Sequence, residues 1–180
     1  DSVIAFNCGV CADKIKKPAD ALKYFDIAVQ KKYNLANAYI GKAGALKDLK
    51  KNDEYVATLK EGLEAVPGNK TLTKLYATYY VNQGILAQRA KKNSAAEEAF
   101  KQAVSIQPDN VNALNSLGSL YYNQGATLLK TDADKAKEEF KQAKEYLDKL
   151  IPLLSADKPA QKKMKDNANT MLNFINSQLQ

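Results

Sequence analysis

Three stretches of this chain repeat one skeleton: Ala21, Phe25 and Ala28; Ala96, Phe100 and Ala103; Ala136, Phe140 and Ala143. Helical spacing puts each ring and its two small neighbours on one face. A helix precedes each of them, and in the first case it carries Ala5, Cys8, Gly9 and Ala12. Gly9 and Ala28 let the two backbones approach closely, and Phe25 fills the space between them. Such a two-helix unit cannot bury its apolar face alone, so neighbouring units must stack. This recurrence predicts an all-α chain, and runs of alternating β-branched residues are missing.

The units follow in order at about 2–35, 36–68, 69–109 and 110–152. In the first, Pro18 suits an opening helical turn, where a missing N–H costs nothing. In the second, Tyr39, Ala43, Leu46, Leu59, Gly62 and Pro67 hold the pattern, while Lys42 and Tyr55 depart from it. Gly62 is expected to make room for Tyr55. From Pro67 to Pro108 the spacing grows to 41 residues. The apolar period runs on past Gly84, which predicts a lengthened first helix ending near Ala90. The fourth unit copies this design, with Asn123-Gln124-Gly125 repeating Asn82-Gln83-Gly84. Ser94 with Glu97, and Thr131 with Asp134, have the spacing of capping boxes. A last helix, about 157–178, carries an apolar stripe through Ala160, Met164, Ala168, Met171, Leu172, Ile175 and Leu179. One wet face and one apolar face suit the end piece of a stack; a basic amphipathic helix lying on a membrane is the alternative.

With these places filled, the whole chain resembles the tetratricopeptide repeat family. The resemblance implies a single domain, 1–180: a right-handed α-α superhelix, or solenoid, of four helical hairpins closed by a capping helix. It also implies a non-enzymatic scaffold that holds a peptide or protein segment in a concave groove lined by the first helix of each hairpin. The groove places fall on Val3, Phe6, Val10 and Asp13, then on Asn37, Ile40, Gly44 and Lys47. They continue at Thr71, Lys74, Thr78, Val81 and Asn82, then at Asn112, Asn115, Ser119, Tyr122 and Asn123. One subgroup of the family grips a C-terminal carboxylate with lysines and asparagines. Here Phe6, Val10 and Gly41 occupy three of those places and only Lys70 and Lys74 remain, which argues against such a clamp. The lengthened helices resemble those of exported members from gut-type Gram-negative bacteria, which implies a periplasmic or surface location.

The candidate groove residues are therefore Phe6, Val10, Ile40, Lys74, Thr78, Asn82, Asn112, Asn115, Ser119, Tyr122 and Asn123. The first three are apolar and the later ones are largely amides and hydroxyls. A carboxamide both donates and accepts, so a row of them pairs with a peptide backbone without reading its sequence. Self-association as a homodimer, through the open N-terminal edge or the terminal helix, is the alternative function.

Other chemistry is poorly supported. The net charge of +7 invites a nucleic-acid reading. However, Arg89 is the one arginine, and the lysines are spread among acidic residues rather than gathered in a patch. No nucleic-acid partner and no stable membrane insertion are expected. The chain has no histidine, which removes the commonest general base and metal ligand. Cys8 and Cys11 form a C-x-x-C inside a helix rather than at its start, with no second pair. Buried free thiols are expected rather than a redox or metal site. Asp132-Ala133-Asp134 lacks the glycine and closing glutamate of a calcium loop and reads as helix capping. Tyr79, Tyr80, Tyr121 and Tyr122 read as inter-helix packing, with Tyr122 the best placed to meet a ligand. Glu97-Glu98 and Glu138-Glu139 are expected on wet faces. No cofactor is implied. With no initiator Met and a helical pattern from its first residues, the sequence reads as a processed or trimmed piece.

Overall fold

The computed structural model describes residues 1–180, and its regular structure is entirely helical. The helices are α1 (Ser2–Lys14), α2 (Pro18–Gln30), α3 (Leu35–Asp48), α4 (Asn52–Ala65), α5 (Lys70–Arg89), α6 (Asn93–Ile106), α7 (Val111–Leu128), α8 (Ala133–Leu150) and α9 (Pro159–Leu179). A 3₁₀ turn, Ile151–Leu153, carries Pro152 at the end of α8. α5 and α7 run for 20 and 18 residues against 13 in α1 and 14 in α3. The chain divides into an N-terminal unit, Asp1–Tyr79, and a C-terminal unit, Tyr80–Gln180.

In the N-terminal unit Phe25 is the wedge of the first hairpin. A Cβ on Gly9 would lie 3.0 Å from its ring, and one on Gly41 would overlap the ring outright. The aromatic side chain thus lies between two helices at places where only glycine leaves room. A second cluster joins Tyr39, Ala43, Leu46, Tyr55, Leu59 and Leu72. Gly62 serves Tyr39 and Leu72, whose side chains lie 3.0 and 3.1 Å from where its Cβ would be. The atoms nearest to that position thus belong to Tyr39 and Leu72 rather than to the expected Tyr55. Lys42, at a usually apolar place, reaches Asp26 at 2.8 Å and ties α3 to α2.

The C-terminal unit repeats the device. Gly84 faces Phe100, and a Cβ on Gly125 would come within 2.7 Å of Phe140. This explains the glycine of both Asn-Gln-Gly runs: each lets a buried ring sit against a lengthened helix. Phe100, Phe140, Leu114, Leu117, Leu147, Leu150 and Ile175 are sealed from solvent in one core. α9 packs on α7 and α8 with Ala168 and Ile175 inward, and much of its other face is exposed.

Four helices stop in one way. Lys16, Lys32, Lys50 and Lys91 take left-handed backbone angles, with φ between 52° and 59°. Each N–H, with that of the next residue, reaches back to the last turn, as in Lys16 to the Asp13 carbonyl (3.0 Å) and Lys17 to that of Ala12 (2.9 Å). This is a Schellman closure, where glycine is usual. Lysine accepts the steric cost and places positive charge at the negative end of the helix dipole. Each sits in a Lys-Lys pair, so the turns account for eight of the 27 basic residues. The other lysine of three of these pairs, Lys17, Lys51 and Lys92, is the N-cap of the next helix, so the dipole argument covers only the four left-handed ones. Lys50→Gly is expected to raise stability by about 0.5–1 kcal/mol in thermal unfolding, because the left-handed strain is relieved. Lys31→Gly, at an ordinary φ of −82°, lacks that relief and is expected to destabilise slightly.

Several local expectations are corrected. α6 begins at Asn93 with Lys92 as its N-cap, so Ser94 lies inside the helix. Glu97 is not a capping partner but is drawn to Tyr121 and Lys101. At α8 the cap is Asp132, which accepts from the Lys135 N–H, while the Thr131 hydroxyl donates to the Leu128 carbonyl. The thiols are free but not buried: Cys8 is half-buried and Cys11 exposed. No helix is long and apolar enough to cross a membrane.

Candidate peptide-binding surface

The candidate residues of the N-terminal unit fall into two groups. Phe6 stands edge-on to Phe25 and Tyr33, with centroids 5.9 and 5.8 Å apart. Val10 packs beside it, and Ile40 packs on the second cluster. All three are half-buried and hold the hairpins together. Lys74 and Thr78 are exposed on α5.

In the C-terminal unit Asn82 and Asn112 are exposed. Asn115, Ser119, Tyr122 and Asn123 come together on α7 and face Asn167, Thr170 and Met171 of α9 across a groove of about 360 Å³. Helical spacing places the α7 residues on one stripe. Val81, another groove place, is buried in the core. The ring of Tyr122 leans on Phe140 and Phe174, with centroids 6.0 and 5.7 Å away, so its position is fixed. The side chains of Asn115, Asn123 and Asn167 make no hydrogen bond within the chain. Their amides are free to meet another chain. The repeat pattern misses the α9 half of this wall, Asn167 with Thr170 and Met171, because α9 carries the marks of an end piece. Its asparagine-rich face is the available signal.

Behind this groove a polar network spans α6 to α8. Oε1 of Glu97 accepts from the Tyr121 hydroxyl and from Lys101 Nζ, both at 2.6 Å. Tyr121 lies flat against Tyr146, with centroids 5.7 Å apart. Burial raises the Glu97 carboxyl, but the bonds from Lys101 and Tyr121 outweigh it and hold the group below the usual range. Burial, then the bond to Glu97, pushes the Tyr121 phenol up to about 12. The folded state therefore holds this proton more tightly than the unfolded chain, whose tyrosine titrates near 10.0. The stability this contributes is present below pH 10 and is lost as pH rises toward about 12. An alkaline unfolding series is expected to show that loss, and Tyr121→Phe should flatten it.

Known proteins share this architecture. A family model described as TPR repeat matches residues 90–125. The crystal structure of a TPR repeats protein from Bacteroides fragilis NCTC 9343 is 46% identical, with 95% of this chain and 83% of that chain aligned at a TM-score of 0.75. This chain is a TPR repeat protein. Weaker likenesses include a thermophilic TPR protein from Thermus thermophilus, 18% identical over 99% of both chains with a TM-score of 0.43. MamA from Desulfovibrio magneticus RS-1 is 15% identical over 98% of this chain and 94% of that one, with a TM-score of 0.45. No functionally curated protein matches. TPR repeat proteins generally mediate protein–protein interaction, and this TPR chain shares their helical-hairpin fold.

Proposed function

We propose that this TPR protein is a non-enzymatic scaffold that holds an extended segment of another protein between α7 and α9. The observation that carries the reading is the pairing of unengaged carboxamides on both walls, Asn115 and Asn123 against Asn167, around the fixed Tyr122. Amides pair with the N–H and C=O of a strand-like segment, at about 1 kcal/mol net per bond. Tyr122 and Met171 supply apolar contact. Three or four such bonds and one aromatic anchor correspond to roughly micromolar binding after association costs. The test is selection of peptides from a random displayed library, followed by titration against the Asn115→Ala, Asn123→Ala, Asn167→Ala triple variant. A loss of at least about tenfold is expected; unchanged affinity removes these amides from the account.

A second reading rests on α1. Ile4 and Ile15 are 61% and 63% exposed, and Cys8 and Cys11 lie between them on one stripe. The 4-8-11-15 spacing is that of a coiled-coil seam, and it reads the same in both directions. An antiparallel second copy would set Ile4 against Ile15 and Cys8 against Cys11. Sedimentation of the wild type and of Ile4→Lys decides this: a concentration-dependent dimer abolished by the charge supports it, and a monomer throughout removes it.

A further inference from the structure

A second cleft lies in the C-terminal unit beside the groove, which it meets at Asn123. It measures about 590 Å³ and is bounded by the end of α5, the start of α6, the lengthened half of α7 and the middle of α8. Its polar walls carry the carboxamides of Gln88, Asn93, Asn123 and Gln124 and the carboxylates of Glu97 and Glu139. Leu120 and Leu128 give it an apolar side. The cleft exists because α5 and α7 overrun the usual helix length.

The two carboxylates are not equivalent. Glu97 is already satisfied, since one of its oxygens takes both the Tyr121 hydroxyl and Lys101. Glu139 has no such partner. Its Oε2 is shut off from solvent and receives no hydrogen bond from the protein. Burial and the nearby charge of Glu97 push its carboxyl upward, with Lys101 offsetting this in part. A buried carboxylate oxygen without a donor costs free energy, and a cation in the cleft that Glu139 lines would offset the charge left uncompensated there without touching that oxygen.

We infer that this cleft is a binding site for a protonated primary amine on an aliphatic stem, with Glu139 as its counter-charge. The ammonium group has three donors and no acceptor. It suits a wall of one unpartnered carboxylate and several amide oxygens. Leu120 and Leu128 suit the methylene stem, as apolar surface commonly does for lysine. A phosphate or carboxylate ligand meets two acidic groups here and is repelled. The overall positive charge of the chain opposes entry only weakly at physiological salt, because the screening length is about 8 Å.

Two sources supply this chemistry: a lysine side chain of a partner protein, or a free polyamine. The experiment is a heteronuclear NMR titration of the labelled protein with N-acetyl-lysine N-methylamide, with 1,5-diaminopentane and with uncharged 1,5-pentanediol. Saturable shifts of the Gln88, Asn93 and Gln124 side-chain amides are expected with at least one charged probe and not with the diol. Tighter binding of the capped lysine assigns the site to a partner's side chain; tighter binding of the diamine assigns it to a free amine. Glu139→Gln keeps the shape, removes the charge and should weaken binding about tenfold or more. High salt should weaken the wild type likewise, which keeps the test decisive if the variant does not fold. Absence of saturable shifts, equal response to the diol, or undiminished binding by a folded Glu139→Gln would overturn the assignment. Asn123 lines both places, whereas Asn115 and Asn167 line the groove alone and Glu139 the cleft alone; Asn115→Ala with Asn167→Ala and, separately, Glu139→Gln therefore distinguish failure of one reading from failure of the other.

Discussion

Replacing Phe140 with alanine is expected to cost the C-terminal unit about 3–5 kcal/mol. The ring is sealed from solvent. It sits against Gly125 and is met by Tyr122 and Phe174 at 6.0 and 5.8 Å. Removing it leaves a cavity that α7 and α8 cannot close without breaking other packing, and it takes away the support that fixes Tyr122. Urea unfolding should show the midpoint fall with the slope unchanged. Phe174→Ala is the comparison, because that ring is 36% exposed and its loss opens the surface instead. A Phe140→Ala cost below about 1 kcal/mol would mean that this ring does not organise the hairpin.

Gly41→Val carries the second large effect, a loss of about 2–3 kcal/mol in the N-terminal unit. The added Cβ would overlap the ring of Phe25, which is 3% exposed. Phe25 cannot retreat, because Gly9 lies close on its other side and Phe6 stands edge-on to it. Phe25→Leu should recover part of the loss, so the double variant is expected to be more stable than the sum of the singles predicts. Gly44→Ala is the control. Its Cβ would meet nothing within 4 Å, so helix propensity alone acts and stability should rise by up to about 1 kcal/mol. A loss as large at Gly44 as at Gly41 would refute the steric account.

The rings, and Gly9 beside Phe25, were legible because their spacing is local and repeats; the room that Gly41, Gly84 and Gly125 leave for a ring was not. Phe25, Phe100 and Phe140 stand on one pattern, and the chain builds one device from it three times. The lengthened α5 and α7 could also be read, from apolar residues continuing past Gly84 and Gly125. What escaped was set by distance in sequence. Glu97 has the spacing of a capping partner for Ser94, yet its carboxylate goes to Tyr121, 24 residues on. Local pattern has no means of anticipating that competition. The same limit hid Glu139, which reads as a solvated residue on α8 yet has one carboxylate oxygen shut off from solvent. The lysine turns escaped for another reason. Glycine is the expected sign of a left-handed helix end, and Lys-Lys carries no conformational mark except its recurrence at the same place.

Each of those four turns is closed by N–H groups reaching back no more than five residues. A reversal of direction is therefore specified before any distant part of the chain arrives, and little loop entropy must be overcome. Chains governed by such short-range contacts settle in microseconds to milliseconds. During synthesis the turns of the earliest hairpins can close while later ones are still emerging, and packing is completed as each new hairpin lands on the one before it.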